Sequence, residues 1–248
     1  MFGFRADKNI KSAFTLVETM IVLIAIGIVS VTVLPVFIAK HQQSRVVIKV
    51  KKNYTVISSA FKRAIAVNGP VYTWDIRNGN KGAEDMFNIL KPYLSINKEC
   101  GTSTNQSCVA KTYGRLNGSG TDGGDSDKRY YKALLNDGTS FAVRLDNASC
   151  NTIKGNNAFL QHICGIAFID INGLRKPNVA GKDKFEFYIT SYGIYPRGSM
   201  FETSISRLDG MDGCSNKSAK GYGCSAWVIA KENMDYLYDT VSWDTKLN

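Results

Sequence analysis

Few residues in this chain are equipped for chemistry. Six cysteines, Cys100, Cys108, Cys150, Cys164, Cys214 and Cys224, all fall in the C-terminal two thirds. Their even number and the lack of any CxxC spacing fit disulfides formed in an oxidising, exported compartment. The simplest pairing joins neighbours, Cys100 with Cys108, Cys150 with Cys164 and Cys214 with Cys224, although six cysteines allow other connectivities. Two acidic, glycine-rich stretches carry the hard oxygen ligands that calcium takes. The first is Asp122-Gly123-Gly124-Asp125-Ser126-Asp127; the second is Asp170-Ile171-Asn172-Gly173, with Asn178 and Asp183 nearby. Neither follows EF-hand spacing, and Asp, Asn and Gly are also ordinary turn residues. Calcium at Asp170, Asn172 and Asp183 therefore stands beside a plain turn reading, and no other cofactor is expected.

Catalytic constellations are not legible. His41, just past the membrane segment, and His162, between cysteines expected to form a disulfide, are the two histidines, and neither a histidine metal cluster nor a Ser-His-Asp set can be built from them. No GxSxG, HExxH or phosphate-loop pattern occurs. The expectation is a protein that is not an enzyme.

The elements that would position these residues begin with residues 14–39, FTLVETMIVLIAIGIVSVTVLPVFIA, where Glu18 is the one ionisable side chain. About 20 apolar residues cross the roughly 30 Å hydrocarbon core of a bilayer, so this run is long enough to span it and too long for an ordinary signal-peptide core. Arg5, Lys8 and Lys11 precede the run, and Lys40, Arg45, Lys49, Lys51 and Lys52 follow it, so basic residues alone would place the C-terminal side inside. The cysteines argue the reverse, a head exported from the cytoplasmic membrane. Gly27 and Pro35 interrupt the run and should weaken or bend a helix locally.

Lys-Ser-Ala followed by Phe-Thr-Leu-Val-Glu, after a short basic leader and ahead of the apolar run, resembles the signal of type IV pilins and type II secretion pseudopilins. The resemblance covers residues 11–40 closely and the rest in outline. It implies a leader, residues 1–13, removed by a prepilin peptidase between Ala13 and Phe14, with methylation of the new amino terminus. Ala13 departs from the glycine usual there. It further implies that Glu18 pairs with the terminal amine of a neighbouring subunit during filament assembly. A carboxylate inside a bilayer costs about 2.5 to 3.5 kcal/mol on insertion scales, so a partner would relieve it. The implied partners are the peptidase and other pilin or pseudopilin subunits.

Beyond the membrane run, Val47, Val50, Tyr54, Ile57, Phe61 and Ala64 recur at helical spacing and mark one apolar stripe. Asn68-Gly69-Pro70 is a stop signal. A helix over residues 14–68 would be about 80 Å long at about 1.5 Å per residue, its outer part packed on a sheet. Residues 69–248 read as an α+β head. A short helix is expected around Glu84-Asp85 up to Pro92. Strands are expected at 130–135 and 139–145 around Asn136-Asp137-Gly138, at 164–171, at 185–189 and at 226–230. The fold class is thus α+β, and the resemblance implies a pilin-like arrangement: a long N-terminal helix on an antiparallel sheet, with a disulfide-stapled head.

The formal charge of +10 favours anionic surfaces without choosing one. Loss of Arg5, Lys8, Lys11 and Asp7 with the leader leaves +8. Two functions follow: a structural filament subunit, pilus or pseudopilus, and a minor pilin whose head binds DNA or another polyanion or mediates adhesion. Lys128-Arg129-Tyr130-Tyr131 interleaves basic and aromatic residues as a nucleic-acid surface would, or as a strand start with a solvated face would.

Overall fold

The structure, a computed structural model, describes residues 15–244, so Ala13 and Phe14 lie outside the described residues. The chain divides into two compact units, Met1–Gln42 and Gln43–Asn248. Helix α1 spans Leu16–Asn68, so the division falls inside it. In the first unit its apolar side chains are bare: Leu23 is 68% exposed and Phe37 70%. Among the described residues, α1 is the one helix long and apolar enough to cross a membrane. It runs through Gly27 and Pro35 as a single helix.

In the second unit the predicted stripe becomes core. Val47, Val50, Ile57, Phe61 and Ala64 are buried, and Tyr54 stacks on Phe187 with ring centroids 5.5 Å apart. Asn53, the one polar residue buried along that face, is satisfied: its amide donates to Thr139 Oγ1 and to the Lys49 carbonyl, each at 3.1 Å. The helix stops where the sequence predicts. Asn68 donates to the Ala64 carbonyl at 2.9 Å, and Gly69, at φ 78°, donates to Ile65 O at 2.8 Å, a left-handed cap that glycine adopts without a Cβ penalty.

Helix α2 (Asn80–Leu90) buries Met86, Phe87 and Leu90 and stacks Phe87 on Tyr131 at 4.4 Å. It begins earlier than Glu84-Asp85 because Asp85 pairs with Arg77 and Gly79 opens the helix. The sheet contains β1 (Ile96–Gly101), β4 (Tyr131–Leu135), β5 (Ser140–Leu145), β6 (Ile163–Asp170), β7 (Lys184–Thr190) and β8 (Gly193–Pro196). They lie in that order and every pair is antiparallel. A two-stranded ribbon, β2 (Thr112–Gly114) and β3 (Thr121–Gly123), lies apart from it.

One expected strand is a helix. Residues 226–230 belong to α3 (Cys224–Lys231), which stops at Glu232 in the left-handed region with φ 58°. A short apolar run cannot be assigned to strand or helix by periodicity. Here Cys224 is disulfide-bonded at the first turn and Ala226 N is taken by Arg197 O at 2.9 Å, so the segment has no free edge to pair with. All three disulfides join the neighbours named above.

Alternation gives the sheet two unlike faces. Tyr131, Ala133, Phe141, Val143, Ala167, Ile169, Phe185, Phe187 and Ile189 share one hydrophobic cluster with the residues of α1 and α2. The opposite face carries three rows in register across the strands: Lys132, Ala142, Phe168 and Glu186; Leu134, Ser140, Asp170 and Lys184; and Arg144, Ile166, Tyr188 and Tyr195. This second face is not solvated. Lys132 is 0% exposed, and Lys184 and Glu186 are each 5% exposed, because chain from residues 102–130 and 197–223 folds over them. Lys132 donates to Ser103 O at 3.1 Å and Asp125 O at 2.6 Å, and Ser140 Oγ donates to Cys108 O at 2.6 Å, which fastens the first of those covers.

Candidate functional site

The start of α1 is built by Thr15 and Glu18. Thr15 Oγ1 accepts the Glu18 backbone N–H at 3.2 Å, the first half of a Thr-x-x-Glu capping box. Glu18 stands in the first helical turn, where a carboxylate also complements the positive end of the helix dipole. Its position therefore has a local reason that needs no neighbouring subunit. Gly27 has open space where a Cβ would stand. Pro35 has no N–H to donate to the preceding turn. His41 is exposed.

The first acidic stretch is dispersed among separate partners. Asp122 pairs with Arg115 at 3.1 Å and accepts the Tyr222 hydroxyl; Asp125 accepts the Asn105 backbone N–H; Asp127 pairs with Arg129 at 2.7 Å. The second stretch is gathered. Asp170 ends β6 and faces Lys184, the first residue of β7, while Asp183 lies one residue earlier. Asp183 accepts Asn178 N at 2.7 Å, Val179 N at 2.6 Å and Asn172 Nδ2 at 3.1 Å. Asp170 accepts Asn172 N at 3.1 Å and the Tyr113 hydroxyl at 3.0 Å. Burial and the neighbouring Asp183 carboxylate push Asp170 up to about 8, and burial likewise raises Asp183. The side-chain oxygens of Asn172 and Asn178 are buried and find no hydrogen-bond donor among the described residues. Among the described residues, no three His, Cys, Asp or Glu side chains form a metal-holding group, so a cation here would draw on two carboxylates and these amide oxygens.

The Lys128-Arg129-Tyr130-Tyr131 cluster is not an open basic surface. Arg129 is held by Asp127 in a bidentate pair, Tyr130 and Tyr131 are buried, and Tyr131 donates to Glu99 at 3.1 Å. His162 makes an edge contact with Tyr192 at 5.7 Å, away from both acidic stretches in the register of the sheet.

A cluster that the sequence reading did not single out lies on the covered face. Glu186 accepts Lys184 Nζ at 2.7 Å and the Arg197 guanidinium, while Arg197 also donates to Ser206. Burial alone would raise the Glu186 carboxyl, but Lys184 and Arg197 outweigh it and hold the group down at about 2. Lys184 Nζ sits within 5.0 Å of the Tyr113 ring centre and 4.8 Å of that of Phe168, and Arg197 lies 5.3 Å from that of Tyr188. Gly198, at φ 87°, brings this segment against the stapled loop: a Cβ there would stand 1.8 Å from Gly223 O. The only sequence signal was Lys-Phe-Glu-Phe alternation, which reads equally well as a solvated face.

Fold and site define an α+β head with an antiparallel sheet and three disulfides, carried on a chain whose N-terminal helix is apolar enough for a membrane. Comparisons with protein-family models, with curated proteins and with solved structures find no match.

Proposed function

We propose that the chain is a structural subunit of a type IV pilus-like or type II secretion pseudopilus filament, made as a prepilin and anchored by α1 in the cytoplasmic membrane before assembly. The observation that carries this reading is Lys-Ser-Ala/Phe-Thr-Leu-Val-Glu set directly before an apolar run whose described large apolar side chains, Leu16 to Ile38, are exposed. Exposed surface of that extent requires lipid or other helices around it. An amphipathic continuation of the same helix buried in a disulfide-bonded head supports the reading. Prepilin peptidase and sibling subunits are the partners it requires. The test is mass spectrometry of the native protein with and without an active prepilin peptidase. A mature chain starting at N-methylated Phe14 is expected; an uncut chain, or a cut elsewhere, refutes the reading.

A second reading concerns calcium, which the paired Asp170 and Asp183 and the two donor-less amide oxygens of Asn172 and Asn178 favour. Bound calcium would supply positive charge that stabilises both carboxylates, with Asp170, Asn172 and Asp183 as its ligands. Thermal unfolding in calcium against chelator should differ by several degrees, and Asp183→Asn should abolish the difference. The alternative of a minor pilin whose head binds DNA or another polyanion would draw on exposed lysines and not on Arg129, which Asp127 already neutralises.

A further inference from the structure

The dipeptide Asn-Gly occurs four times, at Asn68-Gly69, Asn78-Gly79, Asn117-Gly118 and Asn172-Gly173. Asparagine is thermolabile, and a following glycine has no Cβ to screen its backbone nitrogen from the asparagine side chain. Reaction between the two needs freedom in both: the side chain must turn onto the next peptide nitrogen, and that N–H must not be held by an acceptor. Three of the four sites lack this freedom. Asn68 Nδ2 donates to Ala64 O at 2.9 Å, and Gly69 N to Ile65 O at 2.8 Å. Asn117 donates to Ser218 O at 3.1 Å and accepts Ser119 N at 2.9 Å, while Gly118 N is taken by Arg115 O at 3.0 Å. Asn172 Nδ2 donates to Asp183 at 3.1 Å, and Gly173 N to Asp170 O at 3.3 Å.

Asn78-Gly79 differs. Both residues are exposed, and neither the Asn78 side chain nor the Gly79 N–H has a hydrogen-bond partner among the described residues. A Cβ on Gly79 would meet nothing within 4 Å, so there is room beside it for a ring to close. The chain is fastened on either side. Arg77 N and Nε donate to Asp85 at 3.0 and 2.8 Å, and Gly79 O accepts Gly82 N at 3.0 Å where α2 begins.

We propose that Asn78 is a site of spontaneous covalent modification in the folded protein, converted to aspartate and isoaspartate by attack of its own backbone. The Gly79 nitrogen forms a bond to Asn78 Cγ, the Cγ–Nδ2 bond breaks, and the Gly79 proton departs with the amide nitrogen as ammonia. Water then opens the five-membered imide at either carbonyl. No oxidant or cofactor enters the balance. The product places a carboxylate just ahead of α2, whose first turn has no acidic residue, and the helix dipole favours it there. The isoaspartyl form also inserts a methylene into the main chain between the Arg77 anchor and the helix. The modification depends on the folded head alone and stands apart from the filament reading.

The experiment incubates the full-length protein in detergent micelles at neutral and at mildly alkaline pH, with a parallel sample in urea, and follows all four sites by peptide mapping. In the native sample the Asn78 peptide should become about 1 Da heavier and accept methyl groups from an isoaspartyl carboxyl methyltransferase. It should do so at least about tenfold faster than the other three, which must open locally before they react. In urea the four rates should converge. Native rates at Asn78 no faster than elsewhere overturn the proposal, as does a preference for Asn78 that persists unchanged in urea, or a rate that does not rise with pH. Asn78→Gln should abolish the methyl labelling at this site, and Gly79→Ala should slow it. The four wild-type sites decide the question by themselves if Gly79→Ala, placed at φ 72°, fails to fold.

Discussion

The two faces of the six-stranded sheet are both buried, and they are buried by opposite means. Toward α1 and α2 the strands present Phe141, Val143, Ala167, Phe185 and Phe187, which lose water and gain close packing without any polar obligation. On the other side they present Lys132, Asp170, Lys184 and Glu186, and each of these is dry only because a partner from a covering loop or a neighbouring strand meets it. The apolar face depends on volume, and the charged face on completeness. A lost methylene on the first leaves a cavity; a lost partner on the second leaves a stranded charge.

The largest break is expected on the apolar face. Phe61 of α1 is fully buried in the core against the sheet, and Phe61→Ala should cost about 3 to 5 kcal/mol in chemical denaturation. On the charged face Glu186→Leu should cost about 3 kcal/mol by leaving Lys184 and Arg197 without the carboxylate they share, whereas the joint apolar replacement of Lys184, Glu186 and Arg197 should cost much less. If the joint replacement costs more than the single one, the contrast between the faces is wrong.

Titration sharpens the same contrast, because the apolar face cannot respond to it. Glu186 is held at about 2 against an ordinary 4.5, so its contribution is complete above about pH 4.5 and is lost as pH falls through that value toward 2, on the order of 2 to 3 kcal/mol. Asp170 has the opposite sign. Raised to about 8 from 3.8, it favours the native state at low pH and disfavours it progressively as pH climbs from about 4 to about 8. Denaturation midpoints in chelator should therefore peak near pH 4, and Asp170→Asn should flatten the alkaline side. The smallest effect belongs to the rim: Lys51→Ala removes an exposed pair with Glu232 and should change stability by less than about 1 kcal/mol.

How much of this was legible follows from the same difference. Val47 through Ala64 lay at helical spacing, and the apolar alternation of β4 to β7 lay at strand spacing, because burial by packing writes a periodic pattern into sequence. Asn136-Asp137-Gly138 forms the expected turn, with Gly138 at φ 81°. Strands β1, β2, β3 and β8 went unread: β1 is bulged and mostly polar, and the ribbon strands are three residues each. Residues 226–230 were misread because a run apolar on every side carries no period. The charged face was invisible for a deeper reason. Lys184 and Glu186 alternate with Phe185 and Phe187 just as solvated residues would, and the return of Tyr113 and Tyr222 from distant chain, with Arg197 just past β8, makes them interior. Asp170 and Asp183 were found because both lie near one turn; Arg197 and Glu186 come together only through the fold.

The division of the chain at Gln43, inside α1 and not at its end, also sets where genes of this kind can be spliced. A crossover that joins foreign coding sequence after residue 68 would keep a helix flank carved for the lost sheet, with Tyr54, Ile57 and Phe61 facing a stranger. One that falls before Gln43 carries helix flank and sheet together and leaves the apolar run unchanged. Inherited variety in heads on such a stalk should therefore show its breakpoints upstream of residue 43, in the middle of an unbroken helix.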